Sequence, residues 1–348
     1  MKKVLLGLFL LPAYCIAQIP AYYNTIDFNL TGDALKNQLG TLITSTHNAN
    51  LEYTPGVWDA LKQTDHDPDN PENVLLIYGY DDTDNDPDND RTRDKDDSCH
   101  TSSCVGLWVR EHVYPRSLGT PNLGYEGPGS DPHHLRAVDY YMNNSRSNKR
   151  FADGSGNSTS LSGGFFYPGD EWKGDVARMM MYMYVRYQSR CLPNAVGSGS
   201  SSYSTFGDMP DIFLEWNEED PVSQYEINRN NILQNIQGNR NPFIDNPYLA
   251  TIIWNGPEAE DSWGVLATTY PNSSVAKLFA YPTVTTGVVT IANAESNPYQ
   301  YSVYNSMGQK INAKVNDNVI DISHNAGGIY FITATVDNER KTFKIILN

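Results

Sequence analysis

The sequence predicts an α+β fold: a mostly helical domain built around a small ββα unit, followed by a small all-β sandwich. Three observations carry this. Amphipathic stretches with helix-start signals recur through the first 255 residues. Two apolar, strand-like runs flank an aspartate-rich stretch within them. Beyond residue 275 the chain turns to short alternating runs broken by turn residues.

Residues 1–17 read as a secretory signal. Lys2 and Lys3 form a basic start, VLLGLFLLPA is the apolar stretch, and Cys15-Ile16-Ala17 precedes a cleavage point before Gln18. That stretch is too short for a mature bilayer span. Tyr14 is bulky where lipidation at Cys15 would require a small residue. The expectation is an exported protein with no stable membrane insertion.

The first domain is expected over residues 18–255. GDALKNQLGTLITSTH starts at an N-cap-like Thr31, and YTPGVWDALKQTD follows as a second helix. NVLLIYGY and VGLWVREHVY are strand-like. DEWKGDVARMMMYMYVRYQS has acids in its first turn and a Met/Tyr stripe of the kind that packs a core. VSQYEINRNNILQNIQGNRNPF gives another helix, ending near Gly238. Residues 256–275 mix Gly, Pro, Ser and acids without periodicity, as a linker would. Residues 276–348 form the expected β-sandwich, with runs such as VVTIAN, YQYSVYN, GGIYFITATV and KTFKIILN.

With Cys15 removed, Cys99, Cys104 and Cys191 remain. Export permits disulfides, and Cys99 with Cys104 would close a small loop. Cys191 would then be free, or would pair with one of the two instead. None has the spacing of a zinc site.

The formal net charge is −16, which at first argues against a phosphate-rich partner. The charge is uneven, however. Acids crowd residues 65–97, whereas Arg110 to Arg150 is rich in Arg, Lys and His. A local basic cleft on an acidic protein suits a hydrolase that must release its product.

The chemistry concentrates in GLWVREHVYPRS, SDPHHL and MNNSRSN. Neighbours on a strand point to opposite faces, so Glu111 and His112 share a pocket only if the strand ends or bulges there, and Pro115 stops it nearby. A crossing helix carrying Asn143 would complete a ββα-metal finger. Mg²⁺ prefers oxygen ligands and keeps several waters, so Glu111 and the Asn143 carboxamide are its expected anchors, with Mn²⁺ or Ca²⁺ as substitutes. His112, titrating near neutrality, is the expected general base. Arg146 is best placed to grip phosphate, with Arg116 and Arg136 in reserve. This combination points to metal-assisted phosphodiester hydrolysis. His133 and His134 resemble zinc ligands, but adjacent histidines rarely share an ion and no HExxH spacing occurs.

REHVYPRS, SDPHHLRAVDYYMNNSRSN, EWKGDVARMMMYMYVRY and QYEINRNNILQNIQGNRNPFIDNP, in that order, resemble the secreted endonuclease I family over roughly residues 25–255. The resemblance implies a non-specific nuclease that cuts DNA and often RNA at a ββα-metal site. It implies His112 as general base, Glu111 and Asn143 as metal ligands, and Arg146 at the active site. Where the family commonly has His-Asn-Leu, this chain has His133-His134-Leu135. The aspartate run reads as an insertion. Asp82, Asp84, Asp86, Asp88 and Asp90 alternate as in a calcium loop, but the turning Gly is missing and Pro87 stands nearby, so a solvated acidic loop is expected.

YSVYNSMGQKI and VIDISHNAGGIYFITATVDNERKTFKIILN are similar to the type IX secretion sorting domain, although Tyr281-Pro282-Thr283 replaces the usual opening Pro-Asn-Pro. This implies export through the type IX machinery to the cell surface or beyond. Two alternatives stand beside the nuclease: a non-catalytic surface adhesin with an inert nuclease-like domain, and a metal phosphatase.

Overall fold

The computed structural model describes residues 19–101, 103–264, 266, 278–292, 299–336 and 339–348. The signal expected over residues 1–17 therefore lies outside the described residues, as does most of the second half of the expected linker. The chain divides into two compact units, Met1–Leu266 and Ala267–Asn348.

In the first unit, α1 (Gly32–Thr46) and α2 (Gly56–Thr64) lead into the short strands β1 (Asn73–Leu75) and β2 (Thr92–Asp94). Strands β3 (Trp108–His112) and β4 (Leu135–Asp139) form an antiparallel pair, and α3 (Tyr140–Arg146) follows at once. Next come β5 (Arg150–Phe151), β6 (Thr159–Leu161) and β7 (Phe165–Tyr167), which share one small sheet. The helices α4 (Lys173–Tyr187), α5 (Asp211–Glu219), α6 (Gln224–Gln237), α7 (Pro242–Asp245) and α8 (Tyr248–Trp254) complete the unit.

Local signals account for most of these elements. Ser223 and Glu226 make a reciprocal capping box at the start of α6. Gly238 ends that helix at φ 95°, and a Cβ there would lie 2.3 Å from the Thr46 carbonyl oxygen, so both dihedral and space require glycine. The Met/Tyr stripe of α4 is buried from Val176 to Met183, which makes α4 the central core helix. The run NVLLIYGY is strand only to Leu75. Beyond it the chain is irregular, though Ile77 N–H still donates to the Ala137 carbonyl of β4 at 2.9 Å.

Two features fix the β3–β4 pair. Val57, Trp58 and Leu61 of α2 pack with Val74, Leu76, Trp108, Leu135 and Ala137 in one buried cluster. Each large apolar side chain so buried contributes about 1.5–3 kcal/mol. Asp65, at the end of α2, is enclosed, and its carboxylate accepts from Ala137 N (2.7 Å), Arg136 Nε (3.2 Å) and Arg229 of α6. Arg136 also donates to Asp175 at 3.0 Å. The helices are thus pinned to β4 by charge-assisted hydrogen bonds that leave no isolated buried charge.

Part of the expected linker belongs to the first unit. Trp263 is buried, with its ring 5.0 Å from Tyr23 and 5.4 Å from Phe28. Asp261 accepts from Asn246 Nδ2 and Leu266 N. An aromatic and an Asx-type turn inside a Gly/Pro/Ser-rich stretch escaped a reading based on composition.

The aspartate run folds as an exposed loop. Asp82 accepts from Arg91 N and Thr92 N, and Asp81, Asp84 and Asp86 each accept from the backbone N–H two residues ahead. These carboxylates cap their own turns. Cys99 and Cys104 form a disulfide, and Cys191 is a buried free thiol.

The second unit has β8 (Phe279–Tyr281), β9 (Val284–Thr285), β10 (Val288–Ala292), β11 (Gln300–Asn305), β12 (Lys310–Ile311), β13 (Lys314–Asn316), β14 (Val319–Asp321), β15 (Gly328–Val336) and β16 (Glu339–Leu347). One sheet runs β13-β14-β10-β8 and the other β12-β11-β15-β16-β9. Val289, Ile291 and Ile320 from the first share a core with Val303, Ile332 and Ile345 from the second. The expected two-sheet packing follows from this alternation of buried residues.

Candidate active site

The site is built on the end of β3. Pairing with β4 is regular through Glu111↔Arg136 and His112↔Leu135, and the strand stops at His112 without a bulge. Glu111 and His112 therefore leave opposite faces at the strand's last two positions.

Glu111 is buried. Its Oε1 accepts from the Tyr78 hydroxyl at 3.1 Å and lies 3.3 Å from Arg146 Nε. Burial pushes the Glu111 carboxyl above its ordinary range, while Arg146 and the Tyr78 hydrogen bond work against that rise. Tyr78 itself sits at φ 72°, an unusual conformation for a large side chain, with its backbone carbonyl held by Ser158 Oγ at 2.7 Å.

His112 faces a different environment. Its ring stacks on Tyr53 at 5.6 Å and 23°, and His134 lies 5.6 Å away. Nε2 lies 2.9 Å from the Gly129 carbonyl oxygen. A carbonyl only accepts, so Nε2 carries the proton and Nδ1 keeps its lone pair. Burial, seconded by His134, Arg116 and Arg110, holds the imidazole well below its ordinary value near 6.5, so it is neutral at physiological pH.

Helix α3 starts at Asp139, whose carboxylate accepts from Tyr141 N and Met142 N, and it packs on both β3 and β4. Asn143 and Arg146 are three residues apart and share one helix face. Arg146 is buried against Glu111, whereas Asn143 is half-buried.

The arginines differ from expectation. Arg146 lies at the site, but it is fully enclosed: Nη2 donates to the Val113 carbonyl at 2.7 Å, Nη1 to that of Ser147 at 2.9 Å, and the guanidinium lies over the Phe151 ring. It is not open to a phosphate. Arg136 is likewise enclosed, between Asp65 and Asp175, so the basic cleft expected over Arg110 to Arg150 is thinner than its composition suggests. Arg116 remains partly exposed, over the Tyr125 ring at 4.0 Å. His133 and His134 are buried. His134 Nε2 lies 2.6 Å from the Pro128 carbonyl oxygen, and His133 packs on Tyr182.

The residues that the motifs did not reveal are Tyr78, Tyr53, Gly129 and Tyr125. Each meets the site across a loop or a long stretch of chain, and none sits in a recognisable local pattern.

Among the described residues no group of three or more His, Cys, Asp or Glu side chains is placed to hold a metal ion. An ion here would rest on one carboxylate, one carboxamide and water. That oxygen-only donor set fits a hard cation such as Mg²⁺ and not zinc.

Comparison with known proteins agrees with the motifs. Residues 31–248 match the family described as Endonuclease I, and residues 280–348 the one described as Secretion system C-terminal sorting domain. The chain is 40% identical over 256 residues to an extracellular ribonuclease of Bacillus subtilis (strain 168), covering 70% of this chain and 81% of that relative. It is 40% identical over 238 residues to an extracellular ribonuclease of Bacillus amyloliquefaciens, covering 64% and 75% respectively.

Proposed function

The chain belongs to the Endonuclease I family, and on that premise we propose that it is a divalent-metal-dependent, sequence-indifferent endonuclease acting on DNA and RNA. It is a nuclease with a C-terminal sorting domain, secreted or held at the cell surface. The sorting domain implies passage through the type IX secretion machinery. No helix among the described residues is long and apolar enough to cross a membrane.

The observation that carries the mechanism is the commitment of His112 Nε2 to the Gly129 carbonyl. It leaves Nδ1 as the one ring atom able to take a proton, on an imidazole that burial keeps neutral. His112 is the general base: Nδ1 accepts the proton of the attacking water, and Nε2–H, still bonded to Gly129, stabilises the resulting imidazolium. Stacking on Tyr53 fixes the ring plane.

Glu111 and Asn143 would hold the ion. When bound, Mg²⁺ (or Mn²⁺ or Ca²⁺) supplies electrostatic stabilisation of the charge that develops on the phosphate and the leaving oxygen. Arg146 acts through Glu111 as a positioning residue, fixing the carboxylate from behind. RNA is included among the substrates because the similar Bacillus proteins are extracellular ribonucleases.

Purified protein incubated with plasmid, with RNA and with p-nitrophenyl phosphate tests this reading. The expected result is Mg²⁺-dependent cleavage of both nucleic acids, abolished by EDTA, without monoester hydrolysis. Monoester hydrolysis alone would make it a phosphatase, and inert protein a binding module.

A further inference from the structure

Beside His112 runs a continuous series of packed rings and cations that extends outward past Tyr53. Tyr53 lies against His112. Its ring carries the Arg110 guanidinium at 3.5 Å, and Tyr125 packs 4.8 Å from it. Arg116 then lies over Tyr125 at 4.0 Å. The outermost member, Tyr125, is 55% exposed.

That loop is held in shape. Leu123 N donates to the Arg116 carbonyl at 3.1 Å, and Gly124 N to Asn122 Oδ1 at 3.0 Å. At Gly129 an added Cβ would fall 2.1 Å from the Gly124 carbonyl oxygen, so the backbone that presents Tyr125 packs on the residue whose carbonyl orients His112. The spacing between exposed ring and general base is therefore set by the fold. Among the described contacts, Arg110 and Arg116 form no ion pair with a carboxylate. On a chain of net charge −16, two uncompensated cations against an exposed ring at the site ask for an anionic, aromatic ligand.

We propose that Tyr125, backed by Arg116 and Tyr53, is the stacking platform for an unpaired base adjoining the cleaved phosphate, so that this site takes single strands in preference to duplex. The inference rests on the nuclease reading above. Bases in a duplex have their faces covered by their neighbours, whereas an unpaired base offers a free face to an aromatic ring, whatever its identity. Arg116, 4.0 Å from the Tyr125 ring centre, places a guanidinium where the backbone phosphate of that nucleotide would pass. The platform contributes strand-form preference without sequence preference.

The test compares wild type, Tyr125→Ala and Tyr125→Phe as full chains. Fluorescence anisotropy in EDTA measures binding to a labelled DNA 12-mer, an RNA 12-mer of the same sequence and the matching DNA duplex. Tyr125→Ala is expected to weaken single-strand binding about tenfold and to leave duplex binding within about twofold. Tyr125→Phe is expected to bind as wild type does. A loss on either single strand supports the platform, and the arm that responds says whether DNA or RNA is read. No loss, or an equal loss on duplex, overturns it. Initial cleavage rates with Mg²⁺ separate the two levels of argument. Wild type that cuts, with the same single-strand to duplex ratio in Tyr125→Ala, overturns the platform alone. Wild type that cuts neither form overturns the nuclease reading and the platform with it.

Discussion

Arg146 Nε lies 3.3 Å from Glu111 Oε1, and both side chains are buried. The contact is an ion pair without hydrogen-bond alignment, since Nε has no hydrogen-bond partner while the Nη atoms serve the Val113 and Ser147 carbonyls. Arg146 thus ties the strand end, the end of α3 and the buried carboxylate into one unit.

Removing Arg146 should show this. Arg146→Ala leaves Glu111 as an uncompensated buried charge, which costs about 3–5 kcal/mol. A fall in Tm of roughly 10 °C is expected by calorimetry. Arg146→Lys keeps the charge but loses the forked reach to two carbonyls, so its Tm should fall between the two. A surface phosphate clamp would behave differently, losing substrate affinity without losing stability. An unchanged Tm in Arg146→Ala would return Arg146 to that role.

His112→Ala should lower kcat by about 10²–10⁴-fold while the protein stays folded. The ring is only partly exposed and its removal opens a space beside Tyr53, so near-UV circular dichroism accompanies the kinetics. Full activity in a folded variant would remove His112 from the mechanism. Loss of activity with loss of the near-UV spectrum would assign it a packing role instead.

Much of the scaffold is readable from local pattern. The helices α1 and α4 follow from their apolar period, α6 from its capping box and closing glycine, and the C-terminal strands from alternation between turn signals. The adjacency of Glu111 and His112 at a strand end stopped before Pro115 is legible along the chain, although the regular pairing with β4 sends the two side chains to opposite faces. What local pattern hides is burial. Arg116, Arg136 and Arg146 look equivalent along the chain, yet Asp65 and Asp175 enclose one, Glu111 and two carbonyls enclose another, and only Arg116 of the three keeps access to solvent. Tyr78 reaches Glu111 from 33 residues away, through a backbone conformation that no motif marks. Trp263 was hidden by its Gly/Pro/Ser-rich neighbours for the same reason: its partners Tyr23 and Phe28 lie at the other end of the domain.

The metal assignment makes its own prediction. Titration calorimetry of the full chain with Mg²⁺ should show binding that weakens tenfold or more in Glu111→Gln, which removes the only anionic donor of a sparse set, and in Asn143→Ala, which removes its other protein oxygen. Asn143→Asp restores an oxygen ligand and should recover the affinity. Mg²⁺ affinity unchanged in both deletions would place the ion elsewhere, and the exposed loop around Asp82 would be the next place to delete.

The last prediction concerns acid stability and turns on His133 and His134. Both are buried, and desolvation lowers each from an ordinary 6.5 to about 4, although Asp131 pulls in the opposite direction. A base whose pKa is lower in the folded state binds its proton more readily when unfolded. Between about pH 6.5 and 4 the unfolded chain therefore takes up protons that the fold refuses, and stability falls as the pH drops through this window. At about 1.4 kcal/mol per pH unit, each histidine withdraws on the order of 3 kcal/mol by pH 4. Asp131, held below the usual carboxylate range by His133, His47 and hydrogen bonds against its own burial, adds a loss only at lower pH. Urea unfolding at pH 7, 6, 5 and 4 should show the midpoint falling steadily through this range. His134→Gln, which cannot take up a proton, should flatten the fall while lowering stability at pH 7. A midpoint constant from pH 7 to 5 in the wild type would show that these imidazoles are not buried neutral.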